Sequence, residues 1–323
     1  MYKTSNGPRP DLRDQQVPGL ENLIAPVVLP VLKVRNKTGR IYYRDLVTKA
    51  KPSTTKRTDD TAPETTFLNS TYIDFSCSPI EKRYGINYDE VENYGGIEAA
   101  DLAGGEGAKT SIAEQIERNV AKFILGGSTT TAAGDTLIDK VEAAKVKVKR
   151  FAGRLAVVMS DAAFQKAMTY PDVVARLRMF RAVTPADNAQ VLALKKTLLA
   201  MVLEVDDIII GDDEYWAETV SSTDLSARMA VLKIAPSDDN SIKLKPVFAR
   251  LITYFPDDSS PYEVTSFPDD NVKANKYDGT AWNQTAAFNS AACQVISGLE
   301  KKPVEPIGVT VSGTVTTKAE AGA

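Results

Sequence analysis

The sequence predicts an α+β fold, of about two domains by its length of 323 residues. Three observations predict it. Two β-like arms, Leu32–Leu46 and Thr66–Cys77, flank a polar run, Thr48–Thr65, that has no hydrophobic periodicity. Ile112, Ile116, Val120 and Phe123/Ile124 form one helical apolar stripe. From Leu155 onward, short apolar strands alternate with amphipathic helices.

The first 22 residues read as an extended arm, because Pro8, Pro10, Pro18 and Gly19 block regular structure. Leu23–Leu32 is apolar and carries Pro26 and Pro30. Two prolines in such a run argue against a helix and against a central strand, so an extended segment over an apolar surface is expected. A turn at Asn36–Gly39 then leads into a strand at Arg40–Tyr43. Phe67, Tyr72, Ile73 and Phe75 supply β-formers on the returning arm.

Between the arms lies the most unusual stretch. Its first half is basic (Lys49, Lys51, Lys56, Arg57) and its second acidic (Asp59, Asp60, Glu64). A connection of about 18 residues without secondary structure is uncommon inside a compact domain. A bare two-stranded ribbon is marginal in water. Two readings stand side by side. The charges keep a hairpin edge from aggregating, or they meet complementary charges on a neighbouring copy and set register there.

Ile86–Gly105 reads as irregular and acidic, with Gly104-Gly105-Glu106-Gly107 as a loop leading into a helix. Ser111 and Glu114 make a capping box for that helix, and Gly126-Gly127 stops it. A second helix, capped by Asp135, carries Leu137, Val141, Ala144 and Val148 on one face. Leu155–Met159 is a strand, Ser160 caps the next helix, and Pro171 opens another. Thr184–Asp187 opens a further helix, and Val205–Ile210 is a buried-type strand ended by Gly211. Leu225–Pro261 reads as several short strands, with later strands at Tyr262–Phe267 and Ala291–Ile296. The tail, Pro303–Ala323, is expected to be mobile or held by a neighbour.

Composition narrows the function. The 323 residues carry a net charge of −3, which argues against a general nucleic-acid surface. No run approaches the ~20 apolar residues of a membrane helix. Met1–Asp14 lacks the apolar core of a signal peptide, so the cytoplasm of the producing cell is the expected setting. Two cysteines, Cys77 and Cys293, make no disulfide framework and read as reduced thiols. The chain has no histidine, which removes the commonest general base and zinc ligand. No phosphate loop, metal set or cofactor motif is expected. Acidic pairs such as Asp206-Asp207 and Asp212-Asp213 read as solvated loop acids. The competing reading makes them a carboxylate-dependent enzyme site at a strand end. Trp216 and Trp282 read as core or interface anchors.

The order of these parts resembles the tailed-bacteriophage major capsid proteins of the Hong Kong 97-type fold. Five segments carry the resemblance. They are Ile24–Leu32, the paired arms Thr38–Leu46 and Thr66–Cys77, Ala108–Gly126, Leu155–Phe164 with Tyr170–Val173, and Leu198–Gly211. The resemblance implies an N-arm over 1–32, an E-loop hairpin and its base over 33–85, and a P-domain with a spine helix over 86–134. It further implies an A-domain over 135–285, a return strand to the P-domain over 286–302, and a C-terminal tail over 303–323.

The function it implies is structural: self-assembly through pentamers and hexamers into an icosahedral shell that encloses double-stranded DNA without sequence-specific binding. The E-loop residues Lys49, Lys51, Lys56, Arg57, Asp59, Asp60 and Glu64, and the N-arm residues Arg9, Arg13 and Leu20, would then contact neighbouring subunits. Implied partners are a separate scaffolding protein, a portal and a decoration protein, with no membrane. The implied location is the virion capsid, assembled in the host cytoplasm. An encapsulin-like shell around protein cargo shares the fold and is the alternative.

Overall fold

The computed structural model describes residues 3–13, 23–44, 71–127, 136–179, 188–220, 223–238, 241–256 and 260–300. Two sheets organise these residues. The larger is built around one long strand, Ala274–Ala287, in which Tyr277, Gly279 and Ala281 face inward while their neighbours face out. Ser78–Asn87 runs antiparallel along one edge, from Ser78 opposite Asn283 to Asn87 opposite Ala274. Ala249–Tyr254 and Tyr262–Asp269 follow one another along the other edge, like a single interrupted strand. Val31–Val34 extends the sheet beside Ala249–Tyr254, and Gly7–Pro8 adds to Tyr262–Asp269.

A 29-residue helix, Ile97–Leu125, lies across the inner face of this sheet. It begins 14 residues before the expected cap at Ser111, directly after Gly96, whose φ of 120° ends the preceding turn. The run Gly104–Gly107 is therefore helix and not a leading loop. Packing overrides propensity here. A Cβ on Gly104 would sit 2.2 Å from the Tyr277 ring, and one on Gly107 would sit 2.7 Å from the Tyr84 ring. Each glycine weakens a helix by about 1 kcal/mol relative to alanine, and here each lets a tyrosine of the sheet lie against the helix backbone. The helix stops at Leu125 with Gly126 beyond it, as expected.

The smaller sheet has the order Cys293–Ser297, Arg228–Ile234, Arg154–Ser160, Asp207–Gly211. Only its last pairing is parallel. The helices Leu137–Val148, Asp161–Ala167, Pro171–Met179 and Asn188–Leu203 accompany it. Ser160 caps its helix by accepting a hydrogen bond from the Ala163 amide, and Thr136 caps the helix before it. Asp135 and Thr184–Asp187 lie outside the described residues. One apolar cluster joins this sheet to the last turns of the long helix, through Val120, Ile124 and Leu125.

Several expectations shift. Ala249–Tyr254, Tyr262–Asp269 and Ala274–Ala287 belong to the sheet under the long helix, and Cys293–Ser297 to the smaller sheet, so the sheets do not follow a division at 285/286. Ile86–Asn87 ends a ten-residue strand instead of opening an irregular region. Ala25–Val28 is one helical turn, since Pro26 falls in the first turn, where a missing N–H costs nothing. The arm is not extended throughout. Pro10–Arg13 is a helical turn that buries Leu12 completely against Gly105. No described helix is long and apolar enough to cross a membrane.

Candidate assembly surface

The ribbon made by Thr38–Tyr43 and Thr71–Ser76 pairs with itself and stays off the two main sheets. Its two faces differ, as a period of two dictates. One face carries Ile41, Tyr43, Ile73 and Phe75, which pack on a small cluster containing Leu32, Ile252 and Phe288. Tyr43 and Phe288 have ring centroids 5.1 Å apart. Gly39 lies under the Phe75 ring, where a Cβ would come within 2.9 Å. The root is tied down by main-chain bonds: Cys77 N–H to Lys37 O and Arg44 N–H to Ile242 O, each 2.8 Å. The Ser76 amide also donates to Gln284 Oε1 at 2.8 Å.

The other face is open. Tyr42 and Tyr72 are 49% and 50% exposed and meet edge to face at 6.1 Å. The Arg40 guanidinium sits 3.9 Å over the Tyr72 ring and pairs with Asp74 at 2.8 Å. The two exposed rings thus form an aromatic patch on the open face of the ribbon. The charged residues singled out beyond the ribbon, Lys49, Lys51, Lys56, Arg57, Asp59, Asp60 and Glu64, lie outside the described residues, as does Leu20.

Of the N-arm residues, Arg9 is engaged within its own chain. Its guanidinium reaches Asp11 at 2.7 Å and the almost buried Asp101 at 2.6 Å. Asp101 also accepts the Tyr277 hydroxyl at 2.6 Å. Burial and that bond push the tyrosine hydroxyl far above its ordinary value. The Thr4 amide donates to Asn275 Oδ1, and the Ser266 hydroxyl to the Ser5 carbonyl. Arg13 lends its carbonyl to the Ser260 hydroxyl at 3.3 Å. Sequence reasoning missed this latch, because Asp101 lay in a stretch read as irregular and Tyr277 in a strand that went unassigned.

A second buried carboxylate was also missed. Glu117, on the long helix, accepts the Ile24 and Ala25 amides at 3.1 and 2.9 Å and the Trp216 indole N–H at 2.6 Å. It joins the segment after the arm, the long helix and the unit of the smaller sheet. Burial raises its carboxyl above the ordinary value, opposed by the three donors. Trp216 is fully buried and is a core anchor, while Trp282 is half-buried beneath the Lys37 ammonium at 3.4 Å.

The paired acids are spent on local structure. Asp206 accepts the Leu155 amide and Asp213 the Ala162 amide. Asp212 caps a helical turn through the Glu214 amide, and Asp207 pairs with Arg154 at 3.2 Å. Cys77 and Cys293 are free thiols, and burial pushes Cys77 up to about 11. Among the described residues, no group of three or more acids and cysteines is placed to hold a metal ion.

No family model and no curated protein matches the chain. Solved structures do. A phage-related protein of Bordetella bronchiseptica RB50 is similar with a TM-score of 0.61 at 18% identity, covering 93% of this chain and 100% of that one. A structure from Microbacterium phage Oxtober96 is similar with a TM-score of 0.51 at 10% identity, covering 88% and 93%. The SrpI encapsulin of Synechococcus elongatus PCC 7942 is similar with a TM-score of 0.50 at 9% identity, covering 90% and 94%. A long helix on a sheet, a second mixed sheet and an open ribbon rooted between them thus form the Hong Kong 97-type fold, which this chain shares with these phage and encapsulin proteins.

Proposed function

We propose that this chain is the major capsid protein of a tailed phage, a structural subunit that assembles through pentamers and hexamers into an icosahedral shell around double-stranded DNA. One observation carries the reading. A ribbon rooted firmly in the body turns an aromatic face to solvent, in a fold whose solved relatives include phage and encapsulin proteins. A neighbouring copy supplies the missing burial. On this reading the long helix and larger sheet are the P-domain, the unit of the smaller sheet is the A-domain, and the ribbon is the root of the E-loop. Lys49, Lys51, Lys56, Arg57, Asp59, Asp60 and Glu64, with Arg13 and Leu20, reach neighbouring subunits.

A scaffolding protein, a portal and a decoration protein are the partners the reading brings, and the virion capsid, assembled in the host cytoplasm, is its location. It assigns no catalysis, in keeping with local roles for the paired acids. A cargo-enclosing shell is the second reading, favoured by the likeness to the SrpI encapsulin.

Electron microscopy of the purified protein, alone and expressed with its neighbouring open reading frames, tests both readings. Closed uniform polyhedra are expected, with nucleic acid inside when made in the native context. Shells that hold protein instead favour the cargo compartment. Monomers or small discrete oligomers in both samples overturn the shell reading.

A further inference from the structure

The larger sheet is oppositely charged at its two ends. At the end where Trp282 lies, residues 33–44 contribute five cations and no acid, and residues 241–245 add two lysines. Of the described acids near them, Asp74 is already paired with Arg40, and Asp238 is also engaged. Lys33 and Lys37 are exposed and lie over aromatic rings, Lys33 at 4.7 Å from Phe255 and Lys37 at 3.4 Å from Trp282.

At the other end, where Asn87 pairs with Ala274, residues 87–98 carry four acids and no cation. Residues 269–276 add two acids and two lysines, and Lys3 is spent on Asp270. Asp89, Glu90 and Glu98 are exposed and make no ion pair among the described residues. Ala274 and Trp282 are eight residues apart on one strand, so the two ends lie about 25 Å apart in one chain.

We infer that these ends meet head to tail between copies, with Asp89, Glu90 and Glu98 of one subunit against Lys33, Lys37 and Lys243 of the next. The partner is a second copy of this chain, and the inference rests on the shell-subunit reading. Opposite charge at opposite ends cannot satisfy itself within one rigid sheet. A contact of unlike patches is heterologous and closes only as a ring. Charge complementarity there fixes register and speeds encounter more than it adds affinity.

A cysteine pair, Lys37→Cys with Glu90→Cys, is the first test. Bridged Cα atoms lie within about 7 Å, so a bond across about 25 Å forms only between copies. Oxidised shells are expected to run as a ladder of multimers on a non-reducing gel. Shells that run as monomers overturn the inference and leave the shell reading intact. Wild-type protein that forms no shells defeats the shell reading itself.

Charge reversal supplies an independent arm. Lys33→Glu/Lys37→Glu and Asp89→Lys/Glu90→Lys, each checked for an unchanged melting temperature, should raise the protein concentration needed for assembly by about tenfold or more. Joining both reversals in one chain should restore it. Assembly of either variant at the wild-type concentration overturns the inference. If the lysine reversal also empties those shells of nucleic acid, the basic end belongs to a polyanion instead.

Discussion

Glu117 holds three segments of chain with one carboxylate, and both of its oxygens are used. Removing it leaves three buried donors without an acceptor, each of which costs on the order of 1–3 kcal/mol if nothing replaces it. Glu117→Ala should therefore lower stability by about 3 kcal/mol in urea unfolding, after allowing for relaxation. Its pH dependence has a definite sign. Burial lifts the carboxyl above the ordinary 4.5, so the native state holds the proton more tightly than the unfolded chain. That contribution is whole below about pH 4.5 and is lost as pH rises through the native value. Glu117→Gln has no proton to lose, so the margin of wild type over this variant should shrink between pH 4 and pH 7. A margin that grows over that window would mean the three donors outweigh burial. Glu117 was not legible in the sequence. It sits one place beyond Ile116 on a helix correctly read as amphipathic, and nothing local marks a glutamate whose partners are 92 to 99 residues away.

At the scale of elements, the long helix shows why propensity and pattern part company. Its second half was legible, because Ile112, Val120 and Ile124 repeat with helical spacing and each is buried. Its first half was not, because three glycines within four residues read as a loop. The tyrosines that require them, Tyr277 and Tyr84, lie on strands with no clear apolar run. Those strands escaped notice for the same reason. Their inward positions include Ala281 and Gly279, and a Cβ on Gly279 would come within 2.9 Å of Ile112 on the helix. An exposed mid-helix Gly→Ala change gains about 1 kcal/mol. Gly104→Ala should do the opposite, since its Cβ would fall 2.2 Å from the Tyr277 ring. Overpacking typically costs 1–3 kcal/mol, so a net loss of about 1–2 kcal/mol is expected. Thermal unfolding of Gly104→Ala beside an alanine change at the more open Gly127 reads it directly. A stabilised Gly104→Ala would show that the helix can lift off the sheet at little cost. The strands and helices from Leu155 to Gly211, by contrast, emerge close to where the sequence put them, because they fill a core with branched aliphatics whose burial is independent of distant partners.

The whole molecule divides its apolar surface unequally, and that division separates folding from assembly. The large cluster binds the long helix to the unit of the smaller sheet, and two smaller clusters seat the ribbon root and the N-terminal turn. Every one of these is complete within a single chain. On the shell reading, the charged run 49–64 finds its burial on a neighbouring copy and not in these clusters. Deleting 49–64 should then leave the monomer's melting temperature and urea midpoint within error of wild type. The same deletion should abolish closed shells, because the surface removed has value only against another copy. Its charges run basic then acidic, which suits a partner that presents both signs, and the body offers both at the ends of its larger sheet. Sedimentation and micrographs of the deletion beside wild type decide the matter. A destabilised monomer would mean that the run folds back on its own subunit. A stable monomer that still closes into shells would mean that assembly depends on the ends of the sheet and not on the ribbon. A stable monomer that forms only small rings would place the ring contact in the body and the contact between rings in the loop.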